Sequence, residues 1–127
     1  MSLLRKENSH LYVFALITLL LVCTAVIYNL KTGNHNPAVQ LIRKGDYKSA
    51  AQLLVTSKKK EDQVLYNYAH ARMSYTEGNL EMADFYLSPI DENYTGPLSE
   101  DIKKFKDEVK KALLKHAFEL LDKQEYN

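Results

Sequence analysis

Few residues in this sequence could do chemistry, and those few are scattered. The four histidines, His10, His35, His70 and His116, stand apart from one another. A lone His on a helix is ordinarily a partly buried polar residue and only occasionally a ligand or base. Asp91 and Glu92 lie side by side in the turn-rich segment SPIDENYTGP. Adjacent acids on a loop lack the opposed geometry that glycoside or metal chemistry needs, so a solvated turn is the stronger reading. Asn93-Tyr94-Thr95 matches an N-glycosylation acceptor, which has meaning only in a secretory lumen. The single cysteine, Cys23, rules out an intrachain disulfide and a Cys-based zinc site. Phosphate-cradling glycine motifs, nucleophile elbows and H-E-x-x-H are all absent from the sequence. No catalytic, cofactor-binding or metal-ligating residue is assigned, and the chain is read as a non-enzyme. One cluster does suit binding. Tyr68, Arg72 and Tyr75, spaced i, i+4 and i+7, share one face of a helix. Tyr supplies rigid apolar area with a hydroxyl, and Arg grips carboxylates or carbonyls.

The elements that carry these residues follow from composition and periodicity. The 127 residues have room for one small domain, with 17 Lys+Arg against 16 Asp+Glu and a net charge of +1. Nucleic acid as the main ligand is disfavoured, because phosphate binding needs an excess of cations on one face. From Asn8 to Leu30 there is no Asp, Glu, Lys or Arg, and Leu11–Leu30 gives 20 apolar-rich residues. At about 1.5 Å per residue this stretch reaches roughly 30 Å, the thickness of a bilayer core. Tyr12 and Tyr28 sit near its ends, as interfacial aromatics do. The run is too long for the apolar region of a cleaved signal peptide, so an uncleaved signal-anchor in the lipid bilayer is the reading. Cys23 then lies deep in lipid. Arg5 and Lys6 group tightly before the span, while Lys31 is isolated after it, which favours a cytoplasmic amino end and an extracytoplasmic bulk.

The expected organisation is a short tail over residues 1–10, the transmembrane helix over 11–30, a linker over 31–37 and a helical domain over 38–127. No segment shows the period-2 alternation of a strand, so the class is all-α. Expected helices run from Ala38 to Lys44, Tyr47 to about Thr56, Glu61 to Glu77, Leu80 to Leu87 and Ser99 to about Lys123, with Asp46, Asn79 and Ser99 as N-caps. The third of these carries two apolar stripes, Val64, Tyr68, Ala71, Tyr75 and Tyr66, Ala69, Met73, as an inner helix does. The last carries one continuous stripe, Ile102, Phe105, Val109, Leu113, Ala117 and Leu120, as a capping helix does.

One phrase is written twice. Gly45, Asp46, Ala50 and Leu54 in IRKGDYKSAAQLL fall on Gly78, Asn79, Ala83 and Leu87 in YTEGNLEMADFYL, 33 residues on. A helix, a tight Gly turn and a second helix with a small residue facing back make one helical hairpin, and a period near 34 marks stacked hairpins. Here the sequence resembles the tetratricopeptide repeat family over roughly Pro37 to Ile90. Ala38 and Ala71 match its small position in the first helix. Asn67, His70 and Ser74 depart from the large residues it prefers. The resemblance implies a short stack of antiparallel hairpins behind the anchor, with first helices lining a concave groove. It makes Tyr68, Arg72 and Tyr75 the partner-binding candidates. The opposing reading keeps both tyrosines in the core, packed on the first hairpin or on the last helix. The implied function is a membrane-anchored adaptor that recruits or organises a protein or peptide partner, as in an envelope assembly or secretion machine. The alternative is a cytosol-facing receptor-like module for targeting segments.

Overall fold

The computed structural model describes residues 2–31 and 36–125, with side chains described over 8–28 and 36–125. Among these residues all regular structure is helical, in six helices: α1 (Ser2–Lys31), α2 (Pro37–Arg43), α3 (Tyr47–Leu54), α4 (Lys60–Thr76), α5 (Leu80–Leu87) and α6 (Ser99–Glu125). The chain divides into two compact units, residues 1–35 and 36–127. The expected linker falls mostly on residues 32–35, outside the described ones.

Among the described residues the first unit is α1. Within it Asn8–Tyr28 is a 21-residue span of mean hydropathy 2.5, long and apolar enough to cross a membrane, and none of it is buried by protein. Helical structure begins at Ser2 and runs on through residues 2–10 into the span. Thr18 and Thr24 donate their hydroxyls to the carbonyls of Phe14 and Leu21, at 2.8 and 2.9 Å. Their polar groups are thus satisfied within the helix, as an apolar solvent would require.

The second unit stacks each helix on the next, α2 on α3, α3 on α4, α4 on α5 and α5 on α6, with α2 also touching α4. Two turns set this path, and the same bonds build both. The amides of Lys44, Gly45 and Asp46 donate to the carbonyls of Gln40, Ile42 and Leu41. Thirty-three positions on, Glu77, Gly78 and Asn79 donate to Met73, Tyr75 and Ser74. This is the Schellman closure of a helix C-terminus, which needs a left-handed residue after the cap. Gly45 and Gly78 supply it at φ +82° and +80°. Asp46 and Asn79 then cap the following helices, accepting from Ser49 and Met82 amides at 3.2 and 3.0 Å. Ala50 and Ala83, each one turn further, are fully buried, and Leu54 and Leu87 close the helices into the core.

α4 is the central helix. Leu65, Tyr68, Ala69, Ala71 and Ser74 are buried and lie around much of its circumference, while Val64, Tyr66, Met73 and Tyr75 are partly buried. Leu65, outside both expected stripes, is fully buried. Asn36 caps α2 through the Ala38 amide and also donates to Asp62, which accepts from Ser57 as well. That carboxylate therefore ties the start of α2 to the entry of α4. α6 departs from its expected role. Ile102, Phe105 and Val109 are buried and Leu113 partly so, but Ala117 and Leu120 are exposed. A 27-residue helix is about 40 Å long, whereas the eight-residue α5 beneath it is about 12 Å long. The apolar stripe thus outruns the surface available to bury it.

Candidate interaction site

The structure brings Tyr68, Arg72 and Tyr75 together on one face of α4, and it fills that face from within the chain. Phe105 of α6 reaches across. Its ring meets Tyr68 edge-on at 5.7 Å and Tyr75 edge-on at 5.3 Å between centroids. The Arg72 guanidinium lies 4.6 Å from the Phe105 centroid and 5.4 Å from that of Tyr47 on α3. Its Nε donates to Tyr47 Oη at 3.1 Å. Tyr75 Oη donates to Glu108 Oε1 at 3.0 Å. Tyr68 is 5% exposed, and burial pushes its phenol up to about 12. The Tyr75 phenol is raised too, first by its hydrogen bond to Glu108. Tyr68 and Tyr75, two of the three partner-binding candidates, thus pack on α6, and Arg72 joins α3 to it. Together they clamp α3, α4 and α6, with the Phe105 ring packed against all three side chains. Sequence reasoning placed the three on one face. It did not identify Tyr47 or Phe105 as the residues that close it, because nothing local to α4 encodes where α6 returns.

That return is fixed by the loop over residues 88–98. Tyr94 Oη donates to the Pro97 carbonyl at 2.9 Å, and a side chain on Gly96 would collide with the Tyr94 ring. Burial raises the Tyr94 phenol to about 12, with Glu61 and Asp62 adding to the shift. Leu98 enters α6 at φ +61°, a left-handed conformation that costs a non-glycine residue about 1–2 kcal/mol. Lys106 of α6 donates to the Ile90 carbonyl, pinning the helix to the loop. Between loop and helix lies a cleft of about 740 Å³ lined by Asp91, Glu92, Tyr94, Lys103, Lys106 and Lys110 among others. Its charges are of mixed sign, and Asp91 accepts from the Asn93 amide within its own turn. Among the described residues no three His, Cys, Asp or Glu side chains converge as metal ligands.

His70 lies between Tyr66 (4.4 Å between centroids, tilted) and Tyr86 (4.9 Å, stacked). Burial lowers its pKa. It packs as an aromatic residue.

Exposed apolar side chains of this unit include Leu53, Val55, Met82 and Phe85, and four more lie together on the far half of α6. Leu114, Phe118 and Leu121 are 60%, 64% and 57% exposed, and Leu120 is 49% exposed. Leu114, Phe118 and Leu121 follow one another at spacings of four and three, a second apolar stripe beside the buried one. That spacing was available in the sequence, but the first stripe alone accounted for an amphipathic helix. Single exposed apolar residues are normal on a surface, whereas a contiguous set marks a contact site. No family model, curated protein or solved structure matches this chain.

Proposed function

We propose that this chain is a single-pass membrane protein that holds a small tetratricopeptide-like helical module at the membrane to engage another protein. α1 is the anchor, its amino end is cytoplasmic, and the module is extracytoplasmic. What supports the anchor is a 21-residue span that is apolar on every side and keeps its two threonine hydroxyls bonded to its own backbone. What supports the hairpin reading is the pair of turns 33 residues apart, built by the same three backbone bonds and the same cap. The observation that carries the interaction role is the exposed apolar face on the far half of α6. That face, rather than the face of α4, is where the module meets its partner.

The test is topological. In a Cys23→Ser background, single cysteines at Asn93 and Ser2 are challenged with an impermeant thiol reagent on intact cells. The expected result is labelling at position 93 and none at position 2, with the protein retained in membranes after alkaline carbonate washing. The reverse labelling would place the module in the cytosol and favour the receptor-like reading. Loss from the membrane on washing would remove the anchor.

A further inference from the structure

The partner of the α6 face can be read from the charges that bound it. The face consists of Leu114, Ala117, Phe118 and Leu121, with Leu120 at its edge. Lys110 precedes Leu114 by four residues, and Glu125 follows Leu121 by four. On an α-helix that spacing keeps both charges on the face of the leucines, one at each end, and both are exposed. Fifteen positions separate them, about 22 Å along the axis.

We infer that this face pairs with the same face of a second copy of the chain, with the two α6 helices antiparallel. Turned end for end about a point between Ala117 and Phe118, the line Leu114, Ala117, Phe118, Leu121 meets itself in register. Leu114 faces Leu121 of the other copy, the small Ala117 faces the large Phe118, and Lys110 faces Glu125. Each contact occurs twice, as an isologous twofold interface requires. Large against small at the centre lets the two surfaces interdigitate. A parallel pair would set Lys110 against Lys110 and Glu125 against Glu125, which repel.

The other occupants fit less well. A helix that lies on anionic lipid carries a polar face rich in Lys and Arg. Over residues 110–125 Lys110, Lys111, Lys115 and Lys123 are nearly balanced by Glu119, Asp122 and Glu125. An unrelated helix would gain nothing from the end-for-end symmetry of the charges. The contact is four turns long, below the roughly 1,200 Å² of a stable free-standing interface. Confinement of both copies to one membrane raises their effective concentration and compensates. The inference deepens the interaction role proposed above and rests on it.

The experiment uses the full chain in its own membranes, in a Cys23→Ser background, with a short bis-maleimide crosslinker. The antiparallel register requires that Leu114→Cys and Leu121→Cys, co-expressed, give a crosslinked dimer, while Leu114→Cys alone gives none. Lys110→Glu should lower the yield severalfold, on the order of tenfold when both pairs of the dimer are reversed. Lys110→Glu combined with Glu125→Lys should restore it. Crosslinking by Leu114→Cys alone would overturn the antiparallel arrangement. Absence of any dimer would overturn self-pairing. A benzophenone amino acid at position 118 then separates the two proposals. An adduct with a different protein overturns self-pairing and leaves the interaction role standing. An adduct with lipid alone overturns both.

Discussion

Arg72→Ala should unfold the helical unit more easily, although Arg72 is only partly buried. The side chain spans three helices. Its guanidinium lies over Phe105 of α6 and beside Tyr47 of α3, and its Nε bonds Tyr47 Oη. A partly desolvated cation–π contact contributes about 0.5–2 kcal/mol. The hydrogen bond adds about 1 kcal/mol net, because water can replace it for both partners. These contributions overlap, and the loss expected on truncation is about 2 kcal/mol. For a unit of this size that corresponds to a fall in Tm of roughly 8–16 °C. The probe is the near-ultraviolet circular dichroism of tyrosine in the full-length protein in detergent. The chain has no Trp, and Tyr68 and Tyr75 both pack on the Phe105 ring. Tyr47→Phe should lose about 1 kcal/mol. The double variant should fall short of the sum of the two, because the residues share one bond. A change within about 0.5 kcal/mol for Arg72→Ala, typical of an unconstrained surface residue, would refute the clamp and return the α4 face to candidacy as a binding surface.

Three further outcomes follow from the geometry. Ala83→Leu, at a fully buried position facing the preceding helix, should overpack the crossing and destabilise by about 1–3 kcal/mol in the same melt. Gly78→Ala should destabilise by about 1–2 kcal/mol through its positive φ alone, since a Cβ there meets nothing within 4 Å; Gly78→Asn should recover part of the loss. His70 has a folded pKa depressed below its ordinary 6.5 by burial, so the unfolded chain binds its proton more readily. Its contribution is complete above that value and is lost as pH falls through it. Melting temperature should therefore drop between pH 7.5 and pH 5, and His70→Phe should flatten that part of the profile.

The parts of this fold legible in the sequence are those whose causes are local. Gly45 and Gly78 mark left-handed turns, Asp46 and Asn79 mark caps, and each signal acts within a few residues. The expected ends of α2 to α6 accordingly lie within two residues of those observed. Apolar spacing likewise set Ile102, Phe105 and Val109 toward the core. What could not be read was distance. Whether the α4 face stays open depends on the course of residues 88–98, hence on a left-handed Leu98 and a tyrosine folded over Gly96. Leucine is a poor advertisement for positive φ. Where the α6 stripe ceases to be buried depends on the length of the helices beneath it, which periodicity along α6 does not contain. The phenol of Tyr47 opposite Arg72 is a contact across 25 positions that neither segment announces.

The central claim is that a membrane-held module meets a protein through the far half of α6. The most direct measurement places a photocrosslinking amino acid at Phe118, and at exposed Lys48 on α3 as the control, in the full-length chain in native membranes. A discrete protein adduct is expected at position 118, found in the membrane fraction, absent at position 48 and lost on Leu121→Glu. Equal adducts at both positions, or none at position 118 in a chain that remains in the membrane, would contradict it.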